Sequence, residues 1–162
     1  MRLSSIEEYG LRCLLQVARH PGDEPLRIPQ IAEAEGLSPE YTAKILRILR
    51  EGELVQSTRG ASGGYRLARK PNEITVLQAL SVLDGPLIHD DWCQKHRGRL
   101  DTCVHKTDCT ISSLWGWMSQ ILQDAAAHIT LDDLIRGSLH IKRVIDQKPC
   151  PSAALCCEAK QS

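Results

Sequence analysis

Apolar residues recur at helical spacing near the start of the chain and predict an amphipathic helix there. The stripe consists of Ile6, Tyr9, Cys13, Leu14 and Val17. Ser4 stands before it and Glu7 follows three residues later, which is the order of a capping box. The helix is therefore expected to begin after Ser4 and to end by the segment His20-Pro21-Gly22.

A pair of helices is predicted on either side of a glycine. Residues 29–35 form about two turns of helix that Gly36 stops. Ser38 and Pro39 then begin a second helix as N-cap and first helical residue, and it ends near Gly52. Two helices joined by a glycine-containing turn have the geometry of a helix-turn-helix, although many helical proteins contain such a pair.

The segment after this pair predicts a β-hairpin. Residues 55–67 are two short β-prone arms around a glycine-rich tip, placed where a winged helix has its wing. Thr75 and Gln78 then form a capping box for a helix over residues 76–83. Residues 26–28, before the helix pair, are short enough to form a small strand.

The second half of the chain begins with a polar, aperiodic segment, residues 87–109, which predicts a long loop. Thr110 is expected to cap a long helix that reaches about His128, and Thr130 with Asp133 caps a last short helix. Apolar positions cover more than one face of the long helix, which favours a dimer contact. They are Ile111, Leu114, Trp115, Met118, Ile121, Leu122, Ala125 and Ile129.

Charge is distributed unevenly along the chain, although the formal net charge is zero. Residues 38–70 contain seven basic and three acidic side chains, a net +4 that the remainder balances with −4. This asymmetry is typical of a DNA-facing module joined to an acidic part. The absence of a long apolar run and the acidic start of the chain predict a cytoplasmic protein with no membrane partner.

The residues predicted to meet DNA are Ser38, Tyr41, Lys44, Arg47, Arg50, Arg59 and Gly60. Those at the start of the second helix, up to Lys44, are expected at base edges, and Arg47 and Arg50 at phosphates. Arg59, beside Gly60 at the wing tip, suits the adjacent minor groove. A charged helix face is more often simply solvated, but the order of helix pair and wing favours DNA binding.

The chain has seven cysteines, an odd and high count for a cytosolic protein. Cys93, Cys103 and Cys109 share the polar loop, and clustered cysteines in a reducing compartment point to metal or redox chemistry. Cys13 lies on the apolar stripe of the first helix and is expected in the core. The cysteines of the tail are taken as incidental; they are Cys150, Cys156 and Cys157.

Several short motifs together resemble a known family. They are Arg2-Leu3, Ile31-Ala32, Gly36-Leu37-Ser38, Tyr41, Leu49, Leu54-Val55, Arg59-Gly60 and Gly63-Gly64-Tyr65-x-Leu67. From about residue 1 to residue 137 the chain resembles the winged helix-turn-helix regulators that include the iron–sulfur cluster regulator IscR, the nitric oxide-sensitive repressor NsrR and the cysteine-metabolism regulator CymR. The resemblance implies a homodimer, a palindromic operator and, in many members, a cluster held by three cysteines in the loop before the dimer helix.

The resemblance makes Cys93, Cys103 and Cys109 the cluster ligands. Cys103 and Cys109 keep the family's usual spacing, whereas nine residues separate Cys93 from Cys103, so the loop is longer than the pattern. Whether the cluster is [2Fe–2S] or [4Fe–4S] stays open. Three thiols without any metal, as in the cysteine-metabolism branch, are the second interpretation.

The fourth ligand is less well specified. Assembly-type members use a histidine where this chain has Ser112, so that ligand does not carry over. Nitric oxide-sensing members use an acid at the eighth residue of the partner subunit, where this chain has Glu8, although the helix dipole alone explains an acid in a first turn. His96 and His105 are local alternatives. With Cys93 and Cys103 they also allow a zinc site, which lacks the usual paired Cys-x-x-Cys knuckles.

We therefore predict a mainly α-helical protein with a small β-hairpin wing, a winged helix-turn-helix plus a long C-terminal dimerisation helix. Residues 1–86 are the DNA-binding domain, 87–109 the cofactor loop, 110–146 the dimerisation helices and 147–162 a disordered tail. The predicted function is a dimeric repressor controlled by an iron–sulfur cluster that senses redox, nitric oxide or iron status. No catalytic set is recognisable. The alternatives are a cluster-free regulator controlled by a protein or small-molecule partner, and a zinc-stabilised interaction module.

Overall fold

A computed structural model describes residues 4–20, 24–58, 60, 63–85, 99, 103, 105, 109–137 and 140–142. These residues form a mainly helical fold with one antiparallel two-stranded hairpin, which confirms the predicted fold class. The elements, in order, are α1 (Ser5–Arg19), α2 (Ile28–Glu35), α3 (Pro39–Glu51), β1 (Val55–Thr58), β2 (Gly64–Leu67), a 3₁₀ turn (Pro71–Glu73), α4 (Val76–Asp84), α5 (Thr110–Ala127) and α6 (Leu131–Ile135).

Capping boxes begin α1, α4 and α6, as the sequence predicts. In each, the side chain of Ser4, Thr75 or Thr130 accepts the backbone N–H three residues later. The side chain at that third position accepts the N–H of the cap in return. Each box therefore satisfies two backbone donors that would otherwise lack partners at a helix start.

The prediction that Thr110 caps α5 is wrong by one residue. Cys109 is the N-cap, with φ −109° and ψ 94°, and Thr110 is the first helical residue. Because the chain is already helical at Thr110, the sulfur of Cys109 lies at the open end of the helix and accepts the N–H of Ser112. The half-buried thiol of Cys109 therefore caps the helix, which is the role that the sequence predicts for the hydroxyl of Thr110.

Gly36 ends α2 and forms the turn of the helix-turn-helix. Its φ of +65° lies in the left-handed region that glycine tolerates, and Leu37 N–H donates to the carbonyl of Ala32 at 2.9 Å. The strand predicted over residues 26–28 is reduced to a single bridge, because α2 already begins at Ile28. Two hydrogen bonds, of 2.9 and 2.8 Å, join Leu26 to Tyr65 and attach the wing to the base of α2.

The core lies between α1 and the helices packed around it. It is aliphatic, as the absence of Phe requires, and its fully buried members include Leu14, Ile31, Ile45, Leu46, Leu49, Leu54, Ile74 and Leu131. Gly10 lets α1 approach α4, because a Cβ there would lie 2.3 Å from a methyl carbon of Leu83. Burying each Leu or Ile contributes about 1.5–3 kcal/mol.

The C-terminal helices divide between this core and the surface. Leu131 of α6 is fully buried, and its N–H donates to the carbonyl of Ile74 at 2.9 Å. α5 packs against α4 but leaves an apolar face exposed. That face consists of Ile111, Leu114, Trp115, Trp117 and Met118. None of the described helices is long and apolar enough to span a membrane.

Candidate nucleic-acid interface and cysteine site

α3 is amphipathic, with one face buried against the core and a polar face exposed. Thr42, Ile45, Leu46 and Leu49 are buried against the core. The exposed side chains include four that the sequence assigned to DNA, together with two acids; they are Ser38, Lys44, Arg47 and Arg50, with Glu40 and Glu51. The packing of one face therefore fixes which side chains α3 presents outward.

The first turn of α3 is tightly held. The hydroxyl of Ser38 accepts the N–H of Tyr41 at 3.2 Å, and its carbonyl accepts the hydroxyl of Thr42 at 3.0 Å. The N–H of Glu40 itself, followed by the Ser38 hydroxyl, lowers the pKa of the Glu40 carboxyl. The end of α3 expected to meet base edges is thus already ordered within the chain.

Tyr41 has a second partner in α1. Its half-buried ring meets the ring of Tyr9 edge to face, with centroids 6.1 Å apart and planes at 85°. The sequence predicts Tyr41 at a base edge. The ring contact shows that Tyr41 packs against α1, and the base contact stays a prediction.

The phosphate-binding candidates lie further along α3. Arg47 forms an exposed ion pair with Glu51, with Nε 3.6 Å from the carboxylate. Such a pair is worth at most about 1 kcal/mol, so a phosphate competes for the guanidinium without large loss. Arg50 is exposed and lines a shallow groove beside the wing.

A backbone hydrogen bond closes the turn at the tip of the wing. Gly60 is exposed with φ +113°, and its carbonyl accepts the N–H of Gly63 at 2.9 Å. A groove between the wing and the start of α2 is lined by Arg27, Arg50, Ser57, Thr58 and Tyr65, among others. Arg59, the predicted minor-groove residue, lies outside the described residues.

Arg27 is a basic side chain of this surface that the sequence interpretation missed. It is exposed and forms the N-cap position of α2, on the wall of the groove. It precedes the basic segment of residues 38–70. Its position two residues before the predicted helix of residues 29–35 was the available signal, since helix N-termini approach DNA phosphates.

The cysteine site is described in part. Cys103 and Cys109 are half-buried with free thiols, and His105 is exposed. Cys109 lies at the N-terminus of α5, where backbone N–H groups favour a thiolate. Thiolates are the usual donors to an iron–sulfur cluster, and Cys109 lies at such a helix end. Cys93, His96 and the tail cysteines lie outside the described residues, and those that are described include no cluster of three metal ligands.

Glu8 lies apart from the thiols in sequence, in the first turn of α1. Its side chain is exposed, and its backbone N–H donates to the carbonyl of Ser4 at 3.2 Å. The neighbouring Glu7, not Glu8, is the buried acid that closes the capping box. Glu8 is therefore not required by the cap, and its role as a ligand stays a prediction.

A family model described as an iron-dependent transcriptional regulator, Rrf2, matches residues 3–137. The chain belongs to the Rrf2 family. This confirms the resemblance stated from the motifs, and transcription regulation through DNA binding follows from it.

Individual Rrf2 proteins align over most of the chain. Protein rrf2 of Nitratidesulfovibrio vulgaris is 32% identical over 141 residues, 85% of this chain and 89% of that protein. The transcriptional regulator IscR of Pectobacterium carotovorum is 34% identical over 146 residues, 90% of this chain and 84% of that protein.

Solved structures of Rrf2 proteins agree with the fold. CymR, the global cysteine regulator of B. subtilis, superposes with a TM-score of 0.65 at 28% identity, covering 84% of this chain and 97% of its own. IscR of T. potens gives a TM-score of 0.64 at 30% identity, covering 92% and 93%. The winged helix-turn-helix with its long C-terminal helix is thus the fold of this Rrf2 chain.

Cys13 differs from the other described thiols of this Rrf2 protein. It is fully buried in α1, as the sequence predicts. Burial, with a smaller contribution from the charge of Glu35, raises the pKa of the Cys13 thiol to about 12. A thiol held protonated in this way is a core residue and a poor nucleophile or ligand.

Proposed function

We propose that this Rrf2 protein is a homodimeric repressor whose binding to a palindromic operator is controlled by an iron–sulfur cluster held by Cys93, Cys103 and Cys109. The observation that carries the proposal is the position of Cys109. One residue both ends the segment after α4 and caps α5, the helix with the exposed apolar face. The cofactor site and the dimer helix therefore share a boundary.

DNA recognition is assigned to α3 and the wing. Ser38, Tyr41 and Lys44 reach base edges in the major groove, and Arg47 and Arg50 hold phosphates. Arg59 and Gly60 enter the adjacent minor groove, where the absence of a Cβ at Gly60 permits close approach. Arg27 adds a phosphate contact at the base of α2.

The dimer is assigned to the exposed face of α5. Ile111, Leu114 and Met118 are 60%, 45% and 38% exposed and lie on one side of the helix. A contiguous apolar patch of this kind is typical of an interface. A twofold dimer brings two copies of α3 to half-sites about 34 Å apart, one turn of DNA.

The cluster is assigned to the loop thiolates with Glu8 of the partner chain as fourth ligand. A bound cluster supplies a centre that oxygen, nitric oxide or iron limitation destroys. Cys103 and Cys109 hold the segment between α4 and α5 in one arrangement while they are ligated. Their release relaxes that segment and changes the spacing of the two α3 helices in the dimer.

DNA selection and removal of iron test this proposal together. Anaerobically purified protein should be brown and should enrich a palindrome from a pool of randomised duplexes. Its affinity for that duplex should change about tenfold or more when a chelator bleaches the protein, at one salt concentration. Colourless protein with the same palindrome supports a cluster-free regulator instead. Protein that enriches no sequence contradicts operator binding itself.

A further inference from the structure

A polar bridge joins α1 to the turn of the helix-turn-helix. Glu35 is the last residue of α2, and its side chain is only 8% exposed. One carboxylate oxygen accepts the Nε–H of Arg12 at 2.5 Å, and the other accepts the side-chain amide of Gln16 at 2.5 Å. Arg12 and Gln16 lie one turn apart on α1, so a single helix holds both oxygens of this carboxylate.

The same arginine also holds the backbone at the end of α2. Nη2 of Arg12 donates to the carbonyl of Glu35 at 3.2 Å. The last carbonyls of a helix have no partner within it, so Arg12 supplies one. The directly following residue is Gly36, with its left-handed backbone. Arg12 therefore attaches the last residue of α2 to α1, directly before the turn that Gly36 forms.

The bridge continues from Arg12 to the far side of the turn. The Arg12 guanidinium lies 5.4 Å from the centroid of the Tyr9 ring, in cation–π contact. Tyr9 in turn meets Tyr41 in the first turn of α3. α1 thus contacts both helices of the pair on either side of Gly36, through charged and aromatic groups whose geometry is directional.

Stability alone does not explain a charged bridge at this place. The Glu35 side chain is nearly buried, but that of Arg12 is 42% exposed, and an ion pair open to solvent contributes little to the free energy of folding. A bidentate arginine does fix distances and angles, since its donors form a rigid planar fork. The Arg12 fork holds the end of α2, and Tyr9 connects it to Tyr41 in the first turn of α3.

We propose that Arg12 and Glu35 are positioning residues for DNA recognition, which hold the first turn of α3 in the orientation that sequence-specific contacts require. This rests on the proposed role of α3 as the recognition helix. Neither residue touches DNA in this proposal. Losing the bridge therefore weakens binding to the preferred sequence and leaves the charge-driven attraction to any duplex in place.

A pair of alanine variants on α2 separates positioning from electrostatics. Glu35→Ala removes the bridge, and Glu33→Ala removes an exposed acid of the same helix. Each loses one negative charge, so their long-range attraction to DNA changes alike. The probes are the duplex that the wild-type protein enriches from a randomised pool and a scrambled duplex of the same composition, at one salt concentration. The measured quantity is the ratio of the two affinities.

We expect Glu33→Ala to keep the wild-type ratio and Glu35→Ala to lower it about tenfold, mainly through the selected duplex. Arg12→Lys keeps the charge but lacks the planar fork, and it should lower the ratio in the same direction. The double variant Arg12→Lys/Glu35→Ala should be no lower than Glu35→Ala, because both act on one bridge.

A ratio for Glu35→Ala within about twofold of that for Glu33→Ala overturns the proposal, since one good base contact is worth more. An equal loss of affinity for both duplexes in a folded variant also overturns the proposal. If circular dichroism shows that Glu35→Ala does not fold, the Arg12→Lys ratio decides by the same criterion. Wild-type protein that enriches no sequence, or Lys44→Ala that keeps the wild-type preference, contradicts instead the recognition role of α3.

Discussion

The sulfur of Cys109 accepts a hydrogen bond from the backbone N–H of Ser112 at 3.4 Å. Cys109 is therefore the N-cap of α5 as well as a proposed ligand of the cluster. A serine hydroxyl caps a helix well but does not replace a thiolate as a ligand of iron. The two roles can be separated by substitution.

The first prediction concerns Cys109→Ser and Cys109→Ala. Cys109→Ser should keep the thermal unfolding midpoint of the metal-free protein, because the hydroxyl still accepts the Ser112 N–H. Cys109→Ala should lose up to about 1 kcal/mol of unfolding free energy with the cap. Both variants, prepared without oxygen, should lack visible absorption. Wild-type absorption in Cys109→Ala would remove this residue from the ligand set.

The second prediction concerns the exposed face of α5. Leu114→Lys should convert the dimer to a monomer, since a charge in an apolar interface lacks a partner. Gln120→Lys is the control, because Gln120 is an exposed polar residue of the same helix, turned about 120° away from Leu114. Sedimentation should give twice the 18.0 kDa chain mass for wild type and Gln120→Lys. A wild-type monomer at micromolar concentration would rule out the dimer.

The third prediction concerns the wing. Arg59→Ala should weaken binding to the selected duplex by about 1–3 kcal/mol, roughly 5- to 160-fold, while folding and iron content stay unchanged. Arg136→Ala is the control, because it removes an exposed arginine of the C-terminal segment, paired with Asp132. Titration of labelled duplex at matched salt measures the affinity of both variants. Equal affinity of the two variants would count against the wing contact.

Local signals made much of this fold predictable. Ser4, Thr75 and Thr130 each stand three residues before the side chain that completes the box, so the helix starts were legible in the sequence. Cys109 was missed as a cap because a thiol is a rarer cap than the threonine beside it. The bridge between Arg12 and Glu35 spans 23 residues, and no local pattern pairs them.

The basic residues of α3 were predictable from the sequence, whereas the groove at Arg27 was not. Lys44, Arg47 and Arg50 follow from the polar face of one helix, and α3 exposes all of them. The groove at Arg27 depends on how the wing folds back onto α2, which the bridge between Leu26 and Tyr65 determines. Such a contact is tertiary, so the sequence pattern of either segment did not contain it.

The fourth prediction concerns pH and the buried thiol. The pKa of Cys13 is about 12 in the folded chain, whereas an unfolded cysteine titrates near 8.5. Below about pH 8.5 the thiol is protonated in both states; above it only the unfolded chain releases the proton, so stability falls as pH rises. The unfolding free energy of wild type should therefore decline relative to Cys13→Ala between about pH 8.5 and 10. A constant difference would contradict the raised pKa.

The central claim is that three particular thiols hold an iron–sulfur cluster. Iron and acid-labile sulfide per chain should be measured on seven single variants, each purified without oxygen and compared with wild type. The cluster should be lost from Cys93→Ala, Cys103→Ala and Cys109→Ala. It should be retained in Cys13→Ala, Cys150→Ala, Cys156→Ala and Cys157→Ala. Equal iron and sulfide in all seven variants, or none in wild type, would contradict the claim and leave a cluster-free regulator.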